Sequence, residues 1–161
     1  MSRAFVGIGS NLEGPGTQVR AAIEALDGIA RTRCVAASRR YRNPPMGPAD
    51  QPDYINAVAA LETDLDPHAL LARLQGLEAA AGRVRSGRRW GPRPLDLDLL
   101  VYADHQINDS VLTVPHPGIA RRAFVLVPWA EIAPEWWVTG LGRVSELAAA
   151  LDPDELTVEE D

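Results

Sequence analysis

Leu95-Asp96-Leu97-Asp98-Leu99-Leu100-Val101-Tyr102 decides the fold, because its first five residues alternate apolar and acidic with a period of two. That alternation makes a strand in which Leu95, Leu97 and Leu99 face a core while Asp96 and Asp98 share the opposite face. Working outward, Asp66-Pro67 reads as a cap followed by a first-turn proline. It opens a helix that turns Leu70, Leu74, Leu77 and Ala81 inward and ends at Gly82. Tyr54 to Glu62 is a strand with Tyr54, Asn56 and Val58 on one face and Ile55, Ala57 and Ala59 on the other. Asn43 to Pro52 holds four prolines and a glycine, a stiff loop. Arg31 to Tyr41 reads as a strand. Pro15 opens a helix with Val19, Ala22, Ile23 and Leu26 at helical spacing, closed by Gly28. Ala4 to Gly9 is the first strand; Gly7 and Gly9 share a face, which implies a close approach by a helix or ligand.

The order β-α-β-β-α-β is the split βαβ, or ferredoxin-like, arrangement. It predicts an α+β fold with an antiparallel sheet and both helices on one face. Beyond about residue 103 the sequence predicts a C-terminal hairpin, a helix near Arg121 to Ala130 and a last helix near Val144 to Leu151. The tail from Asp152 to Asp161 carries six acids and is expected to fray. With no internal repeat and no dividing linker, residues 1–161 are expected to form a single domain.

No run reaches the ~18 apolar residues that cross a bilayer. The first nine residues lack the layout of a signal peptide, so a cytoplasmic location is expected. The single cysteine, Cys34, lies among small apolar residues and reads as a core residue. The net charge of -6 argues against general binding to nucleic acid or anionic membrane. All 16 basic residues are arginine. The absence of lysine excludes a Walker-type phosphate lysine and Schiff-base chemistry, while arginine's planar fork suits phosphate oxygens.

Two residues apart on a strand, Asp96 and Asp98 have Cα atoms roughly 6.5–7 Å apart. Their carboxylates can then converge on cations about 3.5–4 Å from each other, as in two-metal sites. A bare D-x-D also occurs on solvated strand faces. What shifts the reading is Arg83-Val84-Arg85-Ser86-Gly87-Arg88-Arg89-Trp90-Gly91-Pro92-Arg93, with five arginines in eleven residues immediately before the pair. Arginines that neutralise terminal oxygens beside carboxylates that hold metal suit a polyphosphate and its magnesium. Gly87 and Gly91 would let the loop act as a lid. A solvated basic loop and an RNA patch are the alternatives, the second opposed by the lack of a wider basic surface. Gly7-Ile8-Gly9-Ser10-Asn11 lacks phosphate-loop spacing, so its glycines read as structural. Gln75 and Glu78 follow Leu71 in one helix row, and His116 sits in the constrained turn Thr113-Val114-Pro115-His116-Pro117. Tyr54 and Asn56, with Phe124 as a second stacking surface, offer a flat heterocycle aromatic contact and amide hydrogen bonds.

Several segments, in order, carry a family resemblance. They are Gly9-Ser10-Asn11-Leu12, Tyr41-Arg42-Asn43-Pro44-Pro45-Met46-Gly47-Pro48, Gln51-Pro52-Asp53-Tyr54-Ile55-Asn56 and Gly82-Arg83-Val84-Arg85. To these are added Arg89-Trp90-Gly91-Pro92-Arg93-Pro94-Leu95-Asp96-Leu97-Asp98 and Val114-Pro115-His116. The chain resembles the 6-hydroxymethyl-7,8-dihydropterin pyrophosphokinases of folate synthesis from about residue 4 to Pro134. The resemblance implies a ferredoxin-like fold, diphosphate transfer from ATP to the pterin with AMP as the other product, and two Mg²⁺ ions on Asp96 and Asp98. A monomer is expected, and charge and hydropathy argue against nucleic-acid or membrane partners. It implies that Arg83, Arg85, Arg93 and Arg122 contact phosphates or close the lid, with Trp90 on the same loop touching both substrates. Gln75, Glu78, Leu99, Thr113 and His116 would line the ATP site. The pterin would lie between Tyr54 and Phe124, bonded to Asn56 and to groups around Asn43, Pro44 and Met46.

The sequence departs from the commonest family pattern at Asn43, Ser86, Val111 and Pro117, which bears on ATP affinity and lid motion. Other metal-pair nucleotidyl transferases of this fold, and an idle small-molecule or RNA-binding module, are the rival readings.

Overall fold

A computed structural model describes residues 1–11, 14–44, 53–81, 95–152 and 156–159. The chain runs β1 (Ser2–Ser10), α1 (Pro15–Asp27), β2 (Thr32–Ala37), β3 (Tyr41–Asn43), β4 (Tyr54–Thr63), α2 (Pro67–Ala80) and β5 (Asp96–Tyr102). It continues through the hairpin β6 (Ile107–Asn108) and β7 (Thr113–Val114), a 3₁₀ turn (Ile119–Arg121) and α3 (Ala123–Ile132). A second hairpin, β8 (Trp137–Val138) and β9 (Gly142–Arg143), leads to α4 (Val144–Ala149) and β10 (Thr157–Val158).

The main sheet is antiparallel throughout: β1 pairs with β4 on one side and β5 on the other, and β4 pairs with both β2 and β3. Alternation sorts each strand between two cores. Ala4, Val6, Ile8, Ile55, Ala57, Ala59, Leu97 and Leu99 pack against Val19, Ala22 and Leu26 of α1 and Leu70 and Leu74 of α2. On the other face, Phe5, Val58, Ala60 and Leu100 pack against Val125, Leu126 and Trp129 of α3 and Val144 of α4. Phe5 anchors that second core, tilted against Trp129 and edge-on to Trp136, with ring centroids 5.2 and 4.9 Å away. Helix α2 starts where the sequence placed it: the Asp66 side chain accepts from Ala69 N at 2.8 Å, and Pro67 follows.

Four expectations change. The strand expected over Arg31–Tyr41 is two strands on the same edge. Between them Ser38 N donates to Val58 O at 2.9 Å, and Val58 N donates to Ser38 Oγ at 3.0 Å. A side chain thus replaces a ladder bond while the chain bends. The helix expected over Arg121–Ala130 is a 3₁₀ turn and α3, separated by Arg122 in extended backbone (φ −118°, ψ 95°). A second hairpin, β8–β9, precedes α4. The acidic tail does not fray where it is described. Thr157 and Val158 pair with Arg42 and Tyr41 of β3, and Arg42 neutralises Glu159.

Candidate active site

Two clefts meet at β5, one on the face of the sheet opposite α1 and α2 and one beside α2, and the strand register explains the first. Across β1 and β5, Gly9 stands opposite Asp96 and Gly7 opposite Asp98. Neighbours in one antiparallel row share a face. Each carboxylate therefore looks across a residue without a side chain. On the far side of Gly9 the row continues into Asn56 of β4. A Cβ at Gly9 would lie 2.8 Å from Asn56 Oδ1 and one at Gly7 would lie 3.4 Å from the Leu100 side chain, so the close approach is made by side chains, an amide at Gly9 and a leucine at Gly7.

The first cleft, about 240 Å³, is floored by Gly7, Gly9, Asn56 and Tyr54, edged by Asn43 and walled by Phe124 and Val125 of α3. Both asparagines are buried. Asn56 Nδ2 donates to Asn43 Oδ1, and Asn43 Nδ2 donates to Pro44 O at 3.1 Å. Pro44 is exposed beside this cleft. One step along β3, Tyr41 donates its hydroxyl to Glu131 Oε1 of α3 at 2.5 Å. Arg39 adds bonds from its backbone N at 3.0 Å and its Nε at 3.2 Å. Burial alone pushes the Glu131 carboxyl up, but these donors hold it below its ordinary value. Burial and that same carboxylate push the Tyr41 hydroxyl up. The strut joins the strand carrying Asn43 to the helix carrying Phe124.

The second cleft, about 610 Å³ and more polar, is lined by Leu71, Gln75 and Glu78 of α2, by Leu97 and Leu99, and by Val111, Thr113, His116 and Pro117. Asp96, Asp98 and Arg122 line both clefts. Glu78 Oε2 accepts from Leu97 N at 2.7 Å, so α2 holds the outer edge of β5 between the two aspartates.

His116 is brought to Asp98 by a bulge. Val6 pairs with Leu99 and Phe5 with Val101, which leaves Leu100 as the extra residue. Its carbonyl accepts from His116 N at 2.8 Å. The Val114–Pro115 peptide is cis. His116 Nδ1 accepts from Gly118 N at 3.1 Å, which leaves the proton of the neutral ring on Nε2. Burial pushes the imidazole below its ordinary value; Asp98 opposes that shift and Arg122 adds to it.

Arg122 Nη1 stands 4.0 Å from Asp98 Oδ2, and its guanidinium lies 5.7 Å from the centre of the Phe124 ring. A Cβ at Gly118 would come within 2.7 Å of Arg122 Nε, so that glycine lets the arginine lie against the turn.

The donor set fits a hard divalent cation. Two half-buried carboxylates share one open face. Among the described residues no third acidic, histidine or cysteine side chain joins them in a metal-binding group. Magnesium in nucleotide sites takes one or two carboxylates and fills its remaining positions with phosphate oxygens and water.

The structure thus brings together Asn43, Tyr54, Asn56 and Phe124 in one cleft, and Gln75, Glu78, Leu99, Thr113 and His116 in the other. Met46, Arg83, Arg85, Trp90 and Arg93 lie outside the described residues, as does Ser86. Sequence reasoning missed Val125, Gly118 and the Tyr41–Glu131 strut. Only the helical apolar run after Arg122 signalled the first, and the last joins residues 90 positions apart.

A family model described as 7,8-dihydro-6-hydroxymethylpterin-pyrophosphokinase (HPPK) matches residues 5–134. A 2-amino-4-hydroxy-6-hydroxymethyldihydropteridine pyrophosphokinase from Methylorubrum extorquens is 47% identical over 153 residues, covering 95% of this chain and 96% of that protein. A protein of the same name from Haemophilus influenzae is 45% identical over 147 residues, covering 91% of each. Among solved structures, wild-type HPPK-DHPS of Plasmodium falciparum with pteroate superposes with a TM-score of 0.73 at 12% identity, a likeness of fold. The match covers 92% of this chain and 42% of that one, so this chain spans less than half the length of that solved protein.

Proposed function

The chain belongs to the 7,8-dihydro-6-hydroxymethylpterin pyrophosphokinase family, and from that premise we propose which of its residues serve each substrate. The reaction is transfer of diphosphate from ATP to 6-hydroxymethyl-7,8-dihydropterin, in folate biosynthesis. The hydroxymethyl oxygen attacks the β-phosphorus, the bond from that phosphorus to the α-phosphate oxygen breaks, AMP leaves, and the hydroxyl proton is released to solvent.

One observation carries the assignment: Asp96, Asp98 and Arg122 line both clefts, so groups bound in each meet at the carboxylate pair. The dihydropterin is neutral and flat. It takes the smaller cleft, stacked between Tyr54 and Phe124 and hydrogen-bonded to Asn56 and to groups around Asn43, Pro44 and Met46. ATP takes the larger, more polar cleft, against Gln75, Glu78, Leu99, Thr113 and His116. The His116 Nε2–H donates to a phosphate oxygen without carrying charge. Arg122 at the junction neutralises charge on the transferred group, and Arg83, Arg85, Arg93 and Trp90 complete the enclosure. Asp96 and Asp98 hold two Mg²⁺ ions, which when bound neutralise the ATP phosphates. Such transfers depend on positioning and charge neutralisation rather than on a strong base.

The strand order, with α1 and α2 on one face, supports a ferredoxin-like class for one domain over residues 1–161. We further propose a monomeric, cytoplasmic enzyme. No helix among the described residues is long and apolar enough to cross a membrane. Incubation with Mg²⁺, ATP and the dihydropterin, followed by phosphorus NMR, is expected to show AMP and a pterin diphosphate in equal amounts. Transfer of AMP to the pterin, release of ADP, or no turnover overturns the reading.

A further inference from the structure

We propose that Glu159, immediately after strand β10, is a positioning residue for the pterin cleft, acting through Arg42 of β3. The proposal rests on the assignment of that cleft to the dihydropterin.

Strand β3 is only three residues long, yet it carries Asn43, which meets Asn56 in the cleft. It pairs with β4 through Tyr41 to Asn56, Arg42 to Ile55 and Asn43 to Tyr54. So short a strand has few ladder bonds of its own, and the Glu131 strut braces its Tyr41 end rather than Asn43. Strand β10 supplies a second hold, pairing Thr157 with Arg42 and Val158 with Tyr41, and Glu159 N donates to Arg40 O at 2.8 Å.

The side chains lock that pairing. Arg42 Nη2 donates to Glu159 Oε1 at 2.7 Å and to Oε2 at 3.0 Å, while Nε reaches Oε1 at 3.2 Å. A fork gripping both carboxylate oxygens fixes orientation as well as distance, unlike a single exposed ion pair. On its other side Glu159 abuts the first turn of α1, where a Cβ at Gly16 would lie 3.3 Å from Oε2. Arg42 Nη1 also stands 3.9 Å from Asp53 Oδ2. The same guanidinium therefore ties the strand that precedes residues 44–53 to the residue that ends them.

Register places Arg42 on the face away from the cleft, because Asn43 and Tyr41 alternate with it. Neither Arg42 nor Glu159 lines the cleft, so both act through the position of Asn43. Releasing the Glu159 side chain leaves the β10 side of β3 with backbone pairing alone, which loosens the placement of Asn43 and weakens the pterin contact. The carboxylate pair on β5, at the other edge of the sheet, is untouched.

The test uses the full-length chain carrying Glu159→Gln, with dihydropterin affinity measured by equilibrium fluorescence and kinetics measured for each substrate in turn. The Kd and KM for the dihydropterin are expected to rise about three- to tenfold. The kcat at saturating pterin and the KM for ATP are expected to stay within about twofold of wild type. Arg42→Met breaks the same contact from β3 and is expected to give the same selective loss. Unchanged pterin affinity in either variant, or equal loss for both substrates, overturns the proposal. If wild-type protein binds no dihydropterin, the cleft assignment falls on its own account. Amide hydrogen exchange over Tyr41–Asn43 then decides whether the clasp exists: faster exchange in Glu159→Gln supports it, and unchanged exchange overturns it.

Discussion

The Oδ1 of Asn56 occupies the space that a Cβ on Gly9 would need, the two being only 2.8 Å apart if that Cβ is built. Asn56 cannot swing away freely, because its Nδ2 is bound to Asn43 on β3. Gly9→Ala therefore displaces the amide assigned to the pterin while leaving Asp96, on the other side of the same row, attached to β5. The expected result is a rise in dihydropterin KM of about tenfold, with the KM for ATP little changed. Steady-state kinetics on both substrates check it, and unchanged pterin kinetics sink the role given to Asn56.

Asp96 and Asp98 each face a glycine of β1, so neither is buried behind a neighbour whose packing depends on it. Asp98→Ala should leave the circular dichroism spectrum unchanged and lower kcat by at least about 100-fold, some 2.7 kcal/mol of barrier. Chelating the metal should abolish turnover of the wild type and restore it on adding Mg²⁺. Near-normal turnover of Asp98→Ala removes the metal assignment.

The imidazole of His116 is held below its ordinary value of 6.5, burial being the main cause. Below that pH the unfolded chain binds a proton that the folded chain resists, so stability falls as pH drops. Above it this contribution is constant. Urea midpoints at about pH 7.5 and about pH 5.5 should differ more for wild type than for His116→Gln. Equal differences would remove His116 from the acid response.

The cap on α2 offers a test of fold alone. The Asp66 carboxylate accepts from Ala69 N at 2.8 Å. Asp66→Ala is expected to cost about 1 kcal/mol and to lower Tm by about 3 °C. Calorimetry reads this directly, and a Tm within experimental scatter of wild type denies the cap its role.

Period-two alternation made the sheet and the carboxylate pair legible. Leu95, Leu97 and Leu99 went to one core while Asp96 and Asp98 faced away. The same rule put Tyr54 beside Asn56. It could not reveal the bulge at Leu100, because the residues around it are all apolar and alternation has no polar marker there. Nor could local sequence show that β2 and β3 separate at Ser38, since the hydroxyl that bridges the break bonds to Val58, twenty residues on. The acidic tail misled for a related reason. Its charge argues for solvation until Arg42, 117 positions earlier, is found opposite Glu159.

Tyr41 and Glu131 show what such a long-range contact contributes. The Tyr41 hydroxyl donates to Glu131 Oε1 at 2.5 Å, and Arg39 binds the same carboxylate. Tyr41→Phe removes one donor and leaves Arg39 in place, so the carboxylate keeps a partner. Hydrogen bonds to charged groups are worth more than neutral ones, and the expected loss is about 1–2 kcal/mol at neutral pH. Because its donors hold Glu131 below its ordinary 4.5, their stabilisation is fully present above that pH. It is lost as pH falls through the lower value of the folded state. The gap between wild type and Tyr41→Phe should therefore narrow in acid, as measured by urea unfolding at about pH 7 and about pH 3.5. A gap that stays constant with pH would mean that the hydroxyl acts through packing and not through the carboxylate.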